Sequence, residues 1–126
     1  MALQKQKTPA KGSLSTHILD TAQGCPAEGV TIALYRTDQL NIPLVLCVSN
    51  GDGRTDKALL AGDELIAGEY ELVFHVAKYF RNSNLAVADP PFLDRIAIRF
   101  TITHPEESYH VPLLVSPWSY STYRGS

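Results

Sequence analysis

The chain has 126 residues, 44% of them hydrophobic, and a formal net charge of −2. A length like this accommodates one domain that buries roughly two thirds of its unfolded surface. The near-neutral charge argues against nucleic-acid binding, which requires a basic face, and no apolar run approaches the roughly 20 residues of a membrane span.

The cysteines and the N-terminus indicate a cytoplasmic protein. Cys25 and Cys47 are too few for a disulfide framework and lack the CxxC spacing of a zinc or redox motif, so we expect free thiols. Residues 1–13 contain basic side chains but not the apolar segment of a secretory signal, and we expect a disordered leader there. The folded domain is then expected to span residues 14–126.

Alternation of apolar and polar residues predicts strands along most of the chain. The predicted strands are residues 14–19, 30–35, 44–48, 70–76, 95–103 and 109–115. The continuous apolar run at 44–48 predicts a strand covered on both faces, while Pro112 favours an edge position for the last strand. Residues 59–65 leave a short strand and a loop as alternatives, and residues 77–82 are the one candidate helical turn. About seven strands with almost no helix predict an all-β fold, an antiparallel β-sandwich.

Two histidines lie on the polar faces of predicted strands. His17 lies opposite the apolar face of the first strand, and His110 lies opposite the apolar face of the last one. An imidazole exchanges protons near pH 7 and is the usual general acid–base. The spacing leaves two readings open: catalytic groups on one accessible surface, or ordinary surface histidines. We assign no role to His75, a half-exposed strand residue, or to His104, in a hairpin loop.

Arg54 follows a strong turn signal at residues 50–53, Asn-Gly-Asp-Gly. Such a turn presents the next side chain at a fixed position. A guanidinium offers two parallel donors to a planar oxyanion. An ordinary solvated loop arginine is the alternative.

Other kinds of catalytic site are disfavoured. Catalytic zinc uses three protein ligands, and no acidic third ligand accompanies His17 and His110, so we predict no metal. There is no G-x-S-x-G motif for a serine nucleophile. We therefore predict a site without a cofactor.

The chain ends in an unusual composition. The strand at 109–115 leads to the only tryptophan, Trp118, and to the closing residues Tyr123-Arg124-Gly125-Ser126. This composition is typical of a terminus that helps line a site. Spacing alone favours a frayed tail, because most domains leave their final residues untied.

Two stretches resemble the signatures of a known family. Residues 14–24, LSTHILDTAQG, are similar to the N-terminal signature of the transthyretin-like 5-hydroxyisourate hydrolases. Residues 109–114, YHVPLL, together with the closing YRGS, resemble the C-terminal signature of that family. The resemblance runs through residues 14–126. It implies a transthyretin-like sandwich of two four-stranded sheets, seven to eight strands in all with one short helix, assembled as a homotetramer.

The resemblance also implies a reaction. It is the hydrolysis of 5-hydroxyisourate to 2-oxo-4-hydroxy-4-carboxy-5-ureidoimidazoline in urate degradation, part of purine catabolism. The family places its essential histidines at the positions of His17 and His110, and its substrate-binding arginine at that of Arg54. Our hypothesis is that a water between the two histidines attacks the substrate. His17 and Tyr123 join Arg54 in binding the substrate, and Ser126 is a further catalytic residue that orders the water.

The sequence departs from the family pattern at residues 49–51, Ser-Asn-Gly, just before the Asp-Gly-Arg turn, and at Ser108. Two other functions remain open. One is a transthyretin-type carrier that binds a hydrophobic hormone between subunits without catalysis, and the other is a purely structural sandwich module. The fold does not separate these functions, whereas the residues at the two signatures do.

Overall fold

Two β-sheets and one short helix make up the computed structural model, which describes residues 11–126. The strands are β1 (Ser13–Asp20), β2 (Cys25–Pro26), β3 (Thr31–Arg36), β4 (Val45–Val48), β5 (Leu60–Ala61), β6 (Gly68–His75), β7 (Arg95–Ile102), β8 (Tyr109–Val115) and β9 (Tyr120–Thr122). The helix α1 (Val76–Arg81) confirms the predicted helical turn. The ambiguous residues 59–65 contain β5 and a 3₁₀ turn at Gly62–Glu64.

The first sheet has the order β2-β1-β8-β9, with β5 also paired to β1, and the second has the order β4-β3-β6-β7. The predicted all-β sandwich is therefore confirmed. One correction concerns strand direction, because β1 and β8 run parallel while every other pair between these strands is antiparallel. A parallel pair needs a long crossover connection. Here the crossover contains the whole second sheet, which lies between β1 and β8 in the chain.

The core lies between the two sheets and is built from the alternating apolar residues of the long strands. Its most buried members include Leu14, Ile18, Ile32, Leu34, Leu72, Phe74, Ile96, Ile102 and Leu113. Burying each such side chain contributes about 1.5–3 kcal/mol of transfer free energy. The opposite faces of β1 and β8 are therefore left outside the core, where polar side chains are placed.

Two predictions about strand surroundings were wrong. Strand β4 is an edge strand that pairs only with β3, and its outward side chains Leu46 and Val48 are 65% and 56% exposed. In residues 11–126 no layer covers that face, so a continuous apolar run did not indicate two-sided burial here. Strand β8 is not an edge strand, because it lies between β1 and β9. Pro112 is nevertheless accommodated inside the sheet.

Both ends of the described chain are attached to the sandwich. Strand β1 begins at Ser13, one residue before the expected domain boundary, and the amide of Gly12 donates to the carbonyl of Pro105 at 3.0 Å. Residues 1–10 of the predicted leader lie outside the described residues. At the other end β9 pairs with β8. No helix within residues 11–126 has the length and apolar character needed to cross a membrane.

Candidate active site

Strands β1 and β8 bring three polar side chains to the outer face of the first sheet. Their parallel register places Ser15 beside His110 and His17 beside Pro112. Even-numbered residues of β1 are buried, whereas Ser15 and His17 are only partly buried. Because residues opposite each other on neighbouring strands point to the same face, His110 shares this face with Ser15 and His17. The strand alternation that builds the core thus also assembles the candidate site.

His110 is held by its serine neighbour and lies near the Arg54 guanidinium. Its Nδ1 lies 2.9 Å from the Oγ of Ser15. Partial burial, the nearby Arg54 guanidinium and the nearby His17 together hold the pKa of His110 below its usual value, against a smaller opposing effect from Ser15. The neutral imidazole is therefore favoured near pH 7, the form that accepts a proton.

His17 is fixed by a backbone carbonyl. Its Nε2 lies 2.8 Å from the carbonyl oxygen of Asp52. A carbonyl oxygen only accepts hydrogen bonds, so Nε2 must carry the hydrogen. The neutral imidazole of His17 consequently has its lone pair on Nδ1.

Arg54 is delivered to the same place by the turn that precedes it. The carbonyl of Gly53 accepts the amide of Ile18 at 2.8 Å, and a β-bridge joins His17 to Arg54. Gly53 has φ of 74°, and a Cβ there would collide with the carbonyl oxygen of Ile18. Only glycine fits both conditions. The glycine therefore lets the turn dock closely on β1.

The C-terminus folds back over His110. The amide of Gly125 donates to the carbonyl of His110 at 2.8 Å. The Arg124 guanidinium lies over the ring of Tyr109, 4.4 Å from its centroid, and donates to the carboxylate of Glu107 at 3.3 Å. A Cβ on Gly125 would lie 2.5 Å from Cδ2 of His110. The closing residues are thus docked on the site rather than frayed.

These groups border an open cavity of about 390 Å³. It is lined by Ser15, Arg54, Ser108, Tyr109, His110, Tyr123, Gly125 and Ser126. Four of the five predicted site residues are therefore brought together. His17 is not a lining residue, but it lies beside Arg54 and close enough to His110 to lower its pKa.

The sequence did not predict every residue of the site, and one histidine lies away from the cavity. Ser15 was missed, although it lies two residues before His17 on the same face of β1. His104 is exposed near Glu106, its Nδ1 3.5 Å from the carboxylate, and does not line the cavity. Within residues 11–126 no group of three His, Cys, Asp or Glu side chains is arranged to hold a metal ion.

Comparison with known proteins gives a consistent result. A model of the HIUase/Transthyretin family matches residues 14–125. The 5-hydroxyisourate hydrolase of Deinococcus radiodurans is 54% identical over 90% of this chain and 95% of its own length. That of Mesorhizobium japonicum is 53% identical over 91% of this chain and 93% of its own length.

Solved structures agree with the family match. A crystal structure of (S)-allantoin synthase has a TM-score of 0.86 and 45% identity, covering 93% of this chain and 44% of that longer one. The 5-hydroxyisourate hydrolase of Klebsiella pneumoniae has a TM-score of 0.76 and 36% identity, covering 91% and 99%. Sea bream transthyretin, in complex with thyroxine, has a TM-score of 0.78 and 27% identity, covering 90% and 94%. The chain belongs to the HIUase/Transthyretin family.

Proposed function

We propose that this protein is an enzyme that hydrolyses 5-hydroxyisourate to 2-oxo-4-hydroxy-4-carboxy-5-ureidoimidazoline. Relatives that are about half identical over nearly their whole length carry the name of that hydrolase. The single structural observation that favours catalysis is the cavity shared by Arg54 and His110, with His17 beside it. A proton acceptor and a cation at one cavity supply two of the functions that water attack on a carbonyl requires.

The reaction follows from the groups named in the product. A water oxygen bonds to a ring carbonyl carbon, and the carbon–nitrogen bond of the cyclic amide breaks. The carbonyl carbon becomes the carbon of the carboxy group. The released nitrogen takes up a proton and becomes part of the ureido group. No oxidant, reductant or cofactor is consumed. The protein must therefore remove a proton from water, stabilise an oxyanion and return a proton to nitrogen.

We assign the general base to His110, which lines the cavity. Its lowered pKa keeps it neutral near pH 7, and the contact with Ser15 fixes the orientation of its ring. His17 assists from the neighbouring position, with its lone pair on Nδ1. Proton transfer by a positioned side chain contributes typically 10²–10⁴-fold to the rate.

Arg54 and the C-terminus complete the proposed site. Arg54 binds the substrate and stabilises the oxyanion, because a guanidinium supplies charge and paired donors together. Tyr123 forms an aromatic wall against the bound ring. Ser126 orders the attacking water through its hydroxyl. All three line the same cavity.

A direct assay tests the activity. Urate oxidase generates 5-hydroxyisourate in the cuvette, and its near-ultraviolet absorbance is followed with and without this protein. We expect the decay to accelerate in proportion to protein concentration. Decay at the buffer rate would reject the hydrolase. Saturable thyroxine binding without hydrolysis would instead establish the carrier function, since the sea bream transthyretin structure holds that hormone.

The proposed assembly is a homotetramer with the sites near subunit boundaries. The cavity is open, and its lining residue Tyr123 is 61% exposed. Trp118 and Tyr120, earlier in the same C-terminal segment, are 64% and 47% exposed. Aromatic residues are enriched at protein interfaces, so a neighbouring subunit is a natural cover for this surface.

The proposed location is the cytoplasm. Cys25 and Cys47 are both free thiols, and that compartment keeps thiols reduced. Subcellular fractionation checks the assignment. Recovery of the protein in a secreted or membrane fraction would reject it.

A further inference from the structure

The turn before Arg54 is held together by the side chain of Asn50. Its Oδ1 accepts the backbone amides of Asp52, at 2.9 Å, and of Arg54, at 3.2 Å. Its Nδ2 donates to the carboxylate of Asp56 at 3.1 Å. Its own amide donates to the carbonyl of Arg54 at 2.8 Å, and its carbonyl accepts the amide of Gly53 at 2.9 Å. One side chain therefore satisfies two donors inside the turn and ties the turn to the segment that follows.

Two functional groups leave this turn in fixed positions. The carbonyl oxygen of Asp52 accepts a hydrogen bond from Nε2 of His17. Arg54 forms an antiparallel β-bridge with His17. Rotation of the Asp52–Gly53 peptide unit, which contains this carbonyl, would release the hydrogen on Nε2 and leave both ring nitrogens of His17 free to carry it. Asn50 restrains this unit from both sides. Its backbone carbonyl accepts the Gly53 amide of the same unit, and its side chain holds the Asp52 and Arg54 amides of the two adjoining units.

We infer that Asn50 is a positioning residue for catalysis, one that locks the tautomer of His17 and sets the position of Arg54. Only the expected effect on kcat/KM rests on the proposed hydrolase function; the effect on the His17 tautomer does not. The turn stays attached to β1 without the Asn50 side chain, through the Gly53 carbonyl and the Ile18 amide. Asn50 is partly exposed, so its truncation opens no cavity in the core. Its role is therefore separable from folding.

The side chains at residues 49–51, where the sequence departs from the family pattern, also hold the turn in place. Ser49 is buried; its hydroxyl donates to the carbonyl of Ala27 at 2.7 Å and accepts the amide of Val30 at 2.9 Å. Ser49 thus anchors the start of the turn to the loop before β3, and Asn50 closes the turn itself. The sequence Ser49-Asn50-Gly51 does not shift the turn away from β1.

The test compares three variants. Asn50→Ala removes all three side-chain hydrogen bonds, and misplacement of reacting groups by about 1 Å costs on the order of 10²-fold. We expect kcat/KM to fall by roughly 10- to 100-fold on that basis, with the melting temperature nearly unchanged. Asn50→Asp keeps the acceptor for both backbone amides and should recover most of the activity. Asp56→Ala removes only the outer hydrogen bond and serves as the matched control, with activity close to that of the wild type.

A spectroscopic readout separates positioning from activity. Nitrogen-15 NMR of the histidine rings distinguishes Nε2–H from Nδ1–H. We expect a single Nε2–H tautomer for His17 in the wild type and in Asp56→Ala, and a mixture in Asn50→Ala. This measurement needs no substrate, so it stands even if the hydrolase assay fails. A folded Asn50→Ala protein with wild-type kcat/KM and an unchanged His17 spectrum would overturn the inference.

A fourth variant covers the case in which Asn50→Ala does not fold. Asn50→Gln carries the same amide one methylene further from the backbone, out of register with the two amides of the turn. Lost activity and a mixed His17 tautomer in folded Asn50→Gln support the role of Asn50. Wild-type values of both in that protein reject it.

Discussion

His17 and His110 differ from the other histidines of the chain in what holds them. His17 is bound by a backbone carbonyl and His110 by a serine hydroxyl, whereas His104 is solvent-exposed. We expect His17→Ala and His110→Ala each to lower kcat by roughly 10²–10⁴-fold, the range for an acid–base group. His104→Ala is the matched control and should leave kcat unchanged. Steady-state rates with 5-hydroxyisourate check this, and near-wild-type turnover of both variants would contradict the assignment.

The pKa of His110 links Arg54 to the pH dependence of the reaction. A nearby positive charge disfavours the imidazolium form, so Arg54 lowers this pKa, and its removal must raise the pKa towards 6.5. Arg54→Gln should therefore shift the NMR titration of His110 to higher pH. Arg54→Lys keeps the charge and should leave the titration nearly unchanged, while it raises KM or lowers kcat because the paired donors are lost.

A charge-matched control and the activity profile complete that experiment. Arg81→Gln removes an equal charge from α1 and should not move the titration of His110. In the wild type, the acid limb of kcat/KM should lie below pH 6.5, since a base with a lowered pKa stays neutral to lower pH. A His110 pKa that is unchanged or lower in Arg54→Gln would refute the electrostatic link.

The sequence predicted the residues with distinctive chemistry but not their supports. His17 and His110 stood out because each is an ionisable side chain on an otherwise simple strand. Ser15 and Asn50 did not, because a serine on the partly exposed face of a strand and an asparagine in a turn are common wherever no site exists. Their roles depend on the direction of individual hydrogen bonds. Only the folded coordinates specify those directions.

We expect that the sandwich folds without the last residues of the C-terminal segment. Strand β9 pairs with β8 through Leu113, Leu114 and Val115, so deletion of residues 123–126 leaves β9 in place. We expect the truncated protein to retain its melting temperature within a few degrees and to lose most activity. Misplaced catalytic groups cost on the order of 10²-fold. Thermal unfolding and turnover, measured on the same preparation, check both parts.

Tags and a point substitution refine the role of this segment. A tag fused after Ser126 keeps every side chain but adds chain directly beside the docked Gly125 and Ser126, and should also impair turnover. An N-terminal tag should be harmless. Gly125→Ala should lower activity without unfolding the protein, because its Cβ would meet the ring of His110. Normal rates in the truncated and C-terminally tagged proteins would mean that the tail has no catalytic part.

At the scale of elements, alternation was informative wherever a strand has one buried face. Strands β1, β3, β6, β7 and β8 all have such a face and were predicted. Strand β9 was not predicted, because all three of its residues are exposed and give no alternating signal. The parallel pairing of β1 with β8 was also missed. It is determined by the path of the chain through the second sheet, which local spacing does not encode.

At the scale of the whole molecule, the exposed aromatic residues of the C-terminal segment, Trp118, Tyr120 and Tyr123, lead to the last prediction. A single chain has a mass of 13.8 kDa, and light scattering at assay concentration should give about four times that value. Trp118→Arg places a charge on a side chain that is 64% exposed in the turn between β8 and β9. A desolvated, unpaired charge is costly, so this variant should dissociate to smaller species and lose activity in parallel. Leu46→Arg is the matched control, since Leu46 is 65% exposed on β4, an edge strand of the other sheet. Its assembly and rate should be unchanged. A fully active monomer would refute the tetramer, and a Trp118→Arg tetramer of normal activity would show that this surface is not the interface.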